Sequence, residues 1–295
     1  MSDQGAKRQV LTVLDPGLLS TLQDTGRPGH AHLGVPPSGA MDRTSCRMAN
    51  LVVGNAIEAA CIESTFDGLS VRFDADCVVA VTGAAATTLS CSDRRARHAV
   101  GSAFRVRSGR TLHIRLDDGM RSYLAVRGGL RPSQSPQLGS FSTDLLSGLG
   151  PPALAAGTAL FHAGMAISTP ADPTPVGRSA PTPLTLPVVL GPRDDELTPE
   201  GLRSLLTSTF TVRAESNRVG LRLSGPPIDR RPGAELPSEG LVTGAVQLPP
   251  HGEPVVFGPD HPTTGGYPVV AVVRDRAVDQ LAQLRPAGLL RFSRG

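Results

Sequence analysis

Residues Thr111–Val126, TLHIRLDDGMRSYLAV, carry the pattern that decides the fold class. Leu112, Ile114 and Leu116 alternate with Thr111, His113 and Arg115, and after a break that holds Gly119 a second run continues over Ser122–Val126. A period of two residues is the mark of a half-buried strand. The same signature, rich in β-branched residues, recurs at Val71–Phe73, Val78–Thr82, Phe210–Arg213, Leu221–Leu223, Val255–Phe257, Val269–Val273 and Leu289–Phe292. Glycine and proline, 33 and 27 residues, punctuate these runs. Their spacing of roughly ten residues is that of barrels and sandwiches rather than of alternating strand and helix.

Three short helices interrupt the strands. The first follows Asp42, a good cap, carries Met48, Leu51 and Val52, and stops at Gly54-Asn55. The second opens with Thr198 and Pro199 and places Leu202, Leu205 and Leu206 on one face. The third starts near Asp275, turns Val278, Leu281 and Ala282 inward and ends before Pro286. The expected fold is therefore mainly β with a few short helices.

A chain of 295 residues is long for one core, since single cores stop growing at roughly 250 to 300 residues. The stretch STPADPTPVGRSAPTPLTLP has no hydrophobic period and five prolines before Leu184. The expected organisation is a tail at 1–9, a β lobe at 10–167, a proline-rich linker at 168–187 and a second β lobe at 188–295.

Composition excludes several functions. No window is apolar enough to span a membrane, and the N-terminal residues lack a secretory signal, so a cytoplasmic protein is expected. Cys46, Cys61, Cys77 and Cys91 form no C-x-x-C pair and are expected to be reduced and structural. The net charge of +3 is small and the arginines are scattered, which argues against nucleic acid as a partner. Lys7 is the only lysine among 29 basic residues. A Walker A lysine, a Schiff-base lysine, a Ser-Lys dyad and a biotinylated lysine are thereby excluded. Any bound anion must be held by arginine, by backbone amides or by a partner chain.

Two segments concentrate candidate chemistry. Leu22–Asn50 brings four glycines and three prolines before a capped helix, either an anion or carbonyl site at the helix end or an ordinary β-rich connector. Its His30 and His32 have no third ligand nearby, so no metal site is expected, and Ser38 lacks the nucleophile-elbow pattern. In the second lobe ESNRVGLRLSG sets Arg218 and Arg222 four residues apart, a pair suited to gripping phosphate or carboxylate. Pro237–Pro268 then places Glu239, Gln247 and Asp260 on loops and ends in Thr263-Thr264-Gly265-Gly266-Tyr267. That run is either an amide nest for an oxyanion or simply the start of a strand.

Taken in order, GVPPSGAMD, LGSFSTD, SNRVGLRLSG, SEGLVTGAVQLPP, DHPTTGGYPVVAVV and QLRPAGLLRF resemble the family called allophanate hydrolase subunit 2, or biotin-dependent carboxyltransferase domain, from about Val10 to Phe292. That family includes the 5-oxoprolinase C subunit, the carboxyltransferase region of urea carboxylase and the partner of a sporulation-kinase inhibitor. The resemblance implies two cyclophilin-like β-barrel lobes. The chain departs from the pattern after LGSFSTD, where LLSGLGPPALAAG replaces a glycine-rich, arginine-bearing stretch.

A stand-alone chain without a biotin-carrier or carboxylase region most resembles the 5-oxoprolinase members. This implies ATP-dependent opening of 5-oxo-L-proline to L-glutamate with a partner like the 5-oxoprolinase B subunit, itself similar to a kinase inhibitor, and with a separate A subunit. The implied cofactor is ATP with Mg, and no biotin on this chain. Two alternatives stay open: a carboxyltransferase component of a biotin-dependent carboxylase, and a non-enzymatic antagonist of a kinase inhibitor. The expected catalytic residues are Arg218, Glu239 and Asp260. Arg218 and Arg222 would grip phosphate or carboxylate, and Glu239 or Asp260 would act as base or metal-phosphate ligand. Thr263, Thr264, Gly265 and Gly266 would donate to developing negative charge, with Gln247 and Tyr267 beside them. Gln23, Asp24, Ser38, Gly39 and Asp42 would line the other side, and Ser140, Thr143 and Asp144 are further matched positions.

Overall fold

Alternation along Thr111–Asp118 ends at Gly119, whose φ of +79° is open to glycine at little cost. The two runs that flank it do not pair with each other, because the turn passes the chain from one sheet to another. A computed structural model describes residues 8–84, 86–91, 99–165, 167–172, 177–178, 182–231 and 236–295. Lys7, most of the expected tail, the Cys91 side chain and part of the expected linker lie outside the described residues.

The chain divides into two compact units, residues 1–27 with 42–179, and 28–41 with 180–295. In the first, Gln9–Pro16, Leu69–Phe73, Thr111–Asp118, Ala86–Cys91, Ala159–His162 and Leu130–Arg131 form one six-stranded sheet. Leu19–Gln23, Cys61–Thr65, Arg121–Val126, Cys77–Ala84 and Gly177–Arg178 form a second, with Ala103–Val106 also paired to Cys77–Ala84. Apolar side chains from both sheets, among them Leu11, Val71, Phe73, Ile62, Val81 and Leu124, meet in one core.

Helix Arg43–Val53 packs on the other face of the second sheet. Asp42 caps it by accepting from Ser45 N at 2.9 Å, and Gly54 ends it in the left-handed conformation. Thr82 Oγ1 donates to Ser45 O at 2.7 Å, and Asn55 Nδ2 donates to Val126 O at 2.9 Å. With both faces covered, Cys61–Thr65 and Arg121–Val126 are buried at every position.

The second unit is a closed barrel ordered Leu184–Leu190, Val269–Val273, Ala245–Gln247, Val255–Phe257, Gly220–Ser224, Phe210–Val212 and Leu289–Arg294. It closes by parallel pairing of Leu184–Leu190 with Leu289–Arg294. Leu184, Leu186 and Val188 point into the core with Leu223, Val256, Phe210 and Phe292, the two rings 5.7 Å apart. Thr198 caps helix Pro199–Thr207 by accepting from Gly201 N at 2.9 Å. The third helix is one α turn, Asp275–Val278, continued as a 3-10 turn, Asp279–Gln283, and buries Val278, Leu281 and Ala282 as expected.

The mainly β fold is found, and a closed barrel forms in the second unit. Two expected boundaries need correction. Residues 28–41 group with the second unit, not the first. Ser38 N donates to Pro259 O at 3.0 Å, and Met41 joins the barrel core. The strand Leu184–Leu190 begins inside the stretch assigned to the linker. Prolines concealed it, yet Pro187 pairs with Ser293 and its carbonyl accepts from Arg274 N at 2.9 Å.

Candidate functional site

Six sequence-predicted positions of the second unit, Glu239, Gln247, Thr263, Thr264, Gly265 and Tyr267, converge on a short ribbon. Glu239–Gly240 pairs antiparallel with Thr264–Gly265, and Leu241 N donates to Thr263 O at 2.9 Å. Gln247, at the end of its barrel strand, donates through Nε2 to Tyr267 O at 2.8 Å. A Cβ on Gly265 would stand 2.6 Å from that Nε2, so glycine is needed for the side chain to lie against the ribbon. Tyr267 itself is half exposed.

The expected nest does not form at this ribbon. A nest alternates right- and left-handed residues so that successive N–H groups converge, but Thr264–Gly265 is extended and neither Gly265 nor Gly266 has a positive φ. The strand alternative is what the chain adopts. Glu239 is also not a free base. Arg193 reaches it from the turn Gly191–Glu196 and donates from Nε at 2.9 and 3.1 Å and from Nη2. That hydrogen bonding holds the Glu239 carboxyl below the usual carboxylate range. Arg193, which sequence reasoning missed, is an arginine that the structure brings to the ribbon.

Arg218 and Arg222 do not act as a pair. The Asn217 side chain accepts from Val219 N at 2.8 Å, bending the chain so that Arg218 turns inward before the strand begins. Its Nε and Nη2 donate to Asp260 at 2.7 and 3.0 Å, and Nη2 donates to Gly39 O at 2.6 Å. Ser38 Oγ adds a further bond to Asp260 at 2.8 Å. Both members of the Arg218–Asp260 ion pair are almost fully buried, so Asp260 is spent on holding residues 28–41 to the barrel and is not placed to take a proton. Ser38 keeps a φ of +51°, a conformation that costs a side-chain-bearing residue about 1–2 kcal/mol. Arg222 lies in Gly220–Ser224, where Leu221 and Leu223 enter the core, and strand alternation leaves it exposed.

His261 follows Asp260 and was also missed. It is buried, with its ring edge toward Phe257 at 6.3 Å and Nδ1 2.7 Å from Pro262 O. Burial lowers its pKa, against the opposing effects of that carbonyl and of Asp260.

In the first unit Gln23 and Asp24, which the sequence groups with Ser38, Gly39 and Asp42, come together with Ser140 and Thr143, matched positions that it gives separately. Asp24 accepts from Ser140 Oγ and Ser142 Oγ, each at 2.6 Å, from Phe141 N at 2.7 Å and from Gly26 N at 2.8 Å. Gln23 Nε2 donates to Thr143 O at 2.8 Å. Gln23 Oε1 and Thr143 Oγ1 are buried without a hydrogen-bond partner among the described residues, a deficit that calls for a water or ligand. Asp144 instead closes its own turn, accepting from Leu146 N at 2.9 Å.

Asp42 is committed to its helix cap, and its N–H donates to Tyr123 Oη at 2.7 Å. Tyr123 Oη in turn donates to Glu63 at 2.8 Å, and burial raises the phenol's pKa. Among the described residues no group of three His, Cys, Asp or Glu side chains is placed to hold a metal, and no helix is long and apolar enough to cross a membrane.

Known proteins share this architecture and much of the sequence. The chain is 34% identical to the 5-oxoprolinase C subunit of Escherichia coli over 93% of its own length and 88% of that protein's. It is 32% identical to urea amidolyase of Lachancea kluyveri, over 95% of this chain but 16% of that one. The crystal structure of TTHA0988 superposes with a TM-score of 0.87 at 34% identity, over 99% of this chain. This chain spans 57% of the TTHA0988 chain. The model of the carboxyltransferase domain, subdomain A and B, matches residues 33–294. With that match running through the ribbon, the Arg218–Asp260 pair and both units, the chain belongs to the carboxyltransferase domain, subdomain A and B, family.

Proposed function

We propose that this chain is one component of a cytoplasmic, ATP-dependent 5-oxoprolinase that opens 5-oxo-L-proline to L-glutamate, acting in complex with partners like the B and A subunits of that enzyme. The observation that carries the reading is one of extent. The 5-oxoprolinase C subunit of E. coli aligns over 93% of this chain and 88% of itself, whereas the urea amidolyase match uses 16% of a much larger protein.

A lactam resists hydrolysis because amide resonance makes its carbonyl a poor electrophile. Transfer of the ATP γ-phosphoryl group to the lactam oxygen, with ADP leaving, would activate the carbonyl carbon. Water adds there, and the adduct breaks the C–N bond with the ring nitrogen taking a proton. A second water hydrolyses the resulting acyl phosphate to the carboxylate and phosphate. Mg takes most of its ligands from phosphate and water and needs only one or two carboxylates, so the absence of a three-ligand cluster among the described residues is compatible with Mg-ATP. Arg193 is the group on the ribbon suited to an anion, since its pair with Glu239 is partly exposed and can be exchanged. Gln247 and the Thr264 and Gly265 backbone would orient a planar carbonyl. Gln23 Oε1 and Thr143 Oγ1 offer a second, separate pair of polar contacts in the first unit.

Co-expression with the partner proteins and measurement of phosphate release with and without 5-oxo-L-proline tests the proposal. Release stimulated by the lactam is expected; a complete complex that consumes ATP at the same rate in its absence ends the reading. The urea amidolyase match favours one rival, carboxyl transfer from biotin carried by a partner, since Lys7 is the only lysine here. Avidin-reactive protein co-purifying with the chain, together with no lactam-dependent release, is the result that selects it.

A further inference from the structure

We propose that a cavity of about 750 Å³ in the first unit binds an organic polyanion of roughly nucleotide size, at a site separate from the ribbon and from the Asp24 cluster. Its volume falls in the range of ligand pockets, about 300–1,000 Å³. Its charge is unusual. Arg8, Arg105, Arg107 and Arg127 line it against one carboxylate, Asp76, a local net charge of +3 that equals the formal charge of the whole chain.

Asp76 forms no ion pair with these arginines among the described residues, and its carboxylate accepts from Ser108 N at 2.8 Å. Arg127 is anchored, donating to Val53 O at 2.7 Å and Ser168 O at 3.2 Å. The guanidiniums of Arg8, Arg105 and Arg107 make no hydrogen bond or ion pair among the described residues. In a chain with one lysine, three guanidiniums unspent among the described residues around one cavity are a concentrated means of holding phosphate or carboxylate.

The two sheets build the site together. Arg105 stands opposite Val78, and Val106, opposite Cys77, turns into the core and leaves Arg105 and Arg107 on the outer side. From the other sheet Arg8 O accepts from His162 N at 3.0 Å. Gly164 N donates to His162 Nδ1 at 3.1 Å, so Nε2 carries the proton that goes to Arg127 O at 3.2 Å. Both nitrogens of that imidazole are thus engaged within the first unit. The Cys77 thiol is pushed up to about 11 by burial, with Arg8 opposing, so thiolate chemistry is not what the cavity offers.

Apolar side chains of Val78, Met165 and Ile167 complete the lining, with Val10 and Val106 in the core behind them. A bare inorganic ion would use the arginines and leave these unmatched. An anion carried on an apolar or aromatic body uses both.

The proposal does not depend on the oxoprolinase reading, and its test needs no turnover. Calorimetric titration of the full chain with ATP, tripolyphosphate and citrate, at low salt where screening is weak, is compared between the wild type and an Arg105→Ala/Arg107→Ala double variant. Both arginines are exposed, and thermal melting checks that the variant remains folded. ATP or citrate is expected to bind at one site per chain, whichever wins naming the anion, with affinity reduced about tenfold or more in the double variant. A control pair, Arg203→Ala/Arg276→Ala, removes the same charge elsewhere and is expected to leave affinity unchanged. Equal loss in both double variants, tripolyphosphate binding as tightly as the organic anions, or no binding of any probe overturns the proposal.

Discussion

Arg218–Asp260 and Arg193–Glu239 are both multiply bonded arginine–carboxylate pairs of the second unit, and they have opposite meanings. In the first, the two side chains are 4% and 1% exposed; in the second, 33% and 26%. A buried pair has shed its water and is strongly destabilising to break, because the survivor keeps its charge without solvation. A half-open pair is bridged by water when parted and contributes little to folding. Arg218, in the sequence motif SNRVGLRLSG, is thus a structural clamp. Arg193, in an ordinary turn, keeps its charge accessible.

The sharpest way to break this contrast is Arg218→Ala. It leaves Asp260 buried and charged beside the Ser38 hydroxyl, and is expected to cost about 3–5 kcal/mol, read as a lower urea midpoint. Arg218→Lys should not rescue it, since one ammonium cannot reproduce the contacts to both Asp260 oxygens and to Gly39 O. A variant as stable as the parent would show that the pair clamps nothing. The first unit offers a parallel case. Asp24→Asn replaces one of the two accepting oxygens by an amide nitrogen, which at the Oδ2 position opposes the Phe141 N–H and at the Oδ1 position opposes the donors from Ser140, Ser142 and Gly26. A loss of about 2 kcal/mol is expected, by the same denaturation measurement.

How much of this could be read in the sequence depends on what each strand faces. Thr111–Asp118 alternates because one face meets the core and the other meets solvent. Cys61–Thr65 was invisible because both its faces are covered, so Glu63 and Ser64 sit where a half-buried strand would have apolar side chains. Leu184–Leu190 was hidden by its prolines. At the candidate site, grouping by motif picked out Gln23, Asp24, Ser140 and Thr143 without foretelling that they meet. It failed for Arg218 and Arg222, because a spacing of four places two residues on one face only when both are in the strand, and Arg218 precedes it. Arg193 carried no local signal, since its partner lies 46 positions away. The resemblance to a family identified the chain but did not separate residues that do chemistry from residues that hold the fold.

Arg193→Ala sharpens the contrast from the other side. The melting midpoint should stay at the wild-type value, while lactam-dependent phosphate release by the assembled complex falls about tenfold or more, in the range expected when one electrostatic donor is removed. Full activity would remove Arg193 from the ribbon's chemistry and leave the proposed function itself intact, to be judged on its own assay.

The smallest expected effect lies next to the clamp, in the pH dependence of stability. Burial depresses the pKa of His261 below its ordinary 6.5 in the folded chain. The unfolded chain therefore binds the proton first as pH falls, and between 6.5 and the lower folded value it holds more protons than the folded one. Stability then rises with pH across that window: it is complete above 6.5 and is lost as the solution is acidified through it. His261→Gln removes the titrating group and should flatten this part of the profile, measured as the urea midpoint from neutral pH downward. The carboxylate of Asp260 next in the chain acts in the opposite direction, favouring the protonated ring. An unchanged slope in the glutamine variant would mean that this attraction cancels burial and that the clamp and its neighbouring imidazole form one titrating unit.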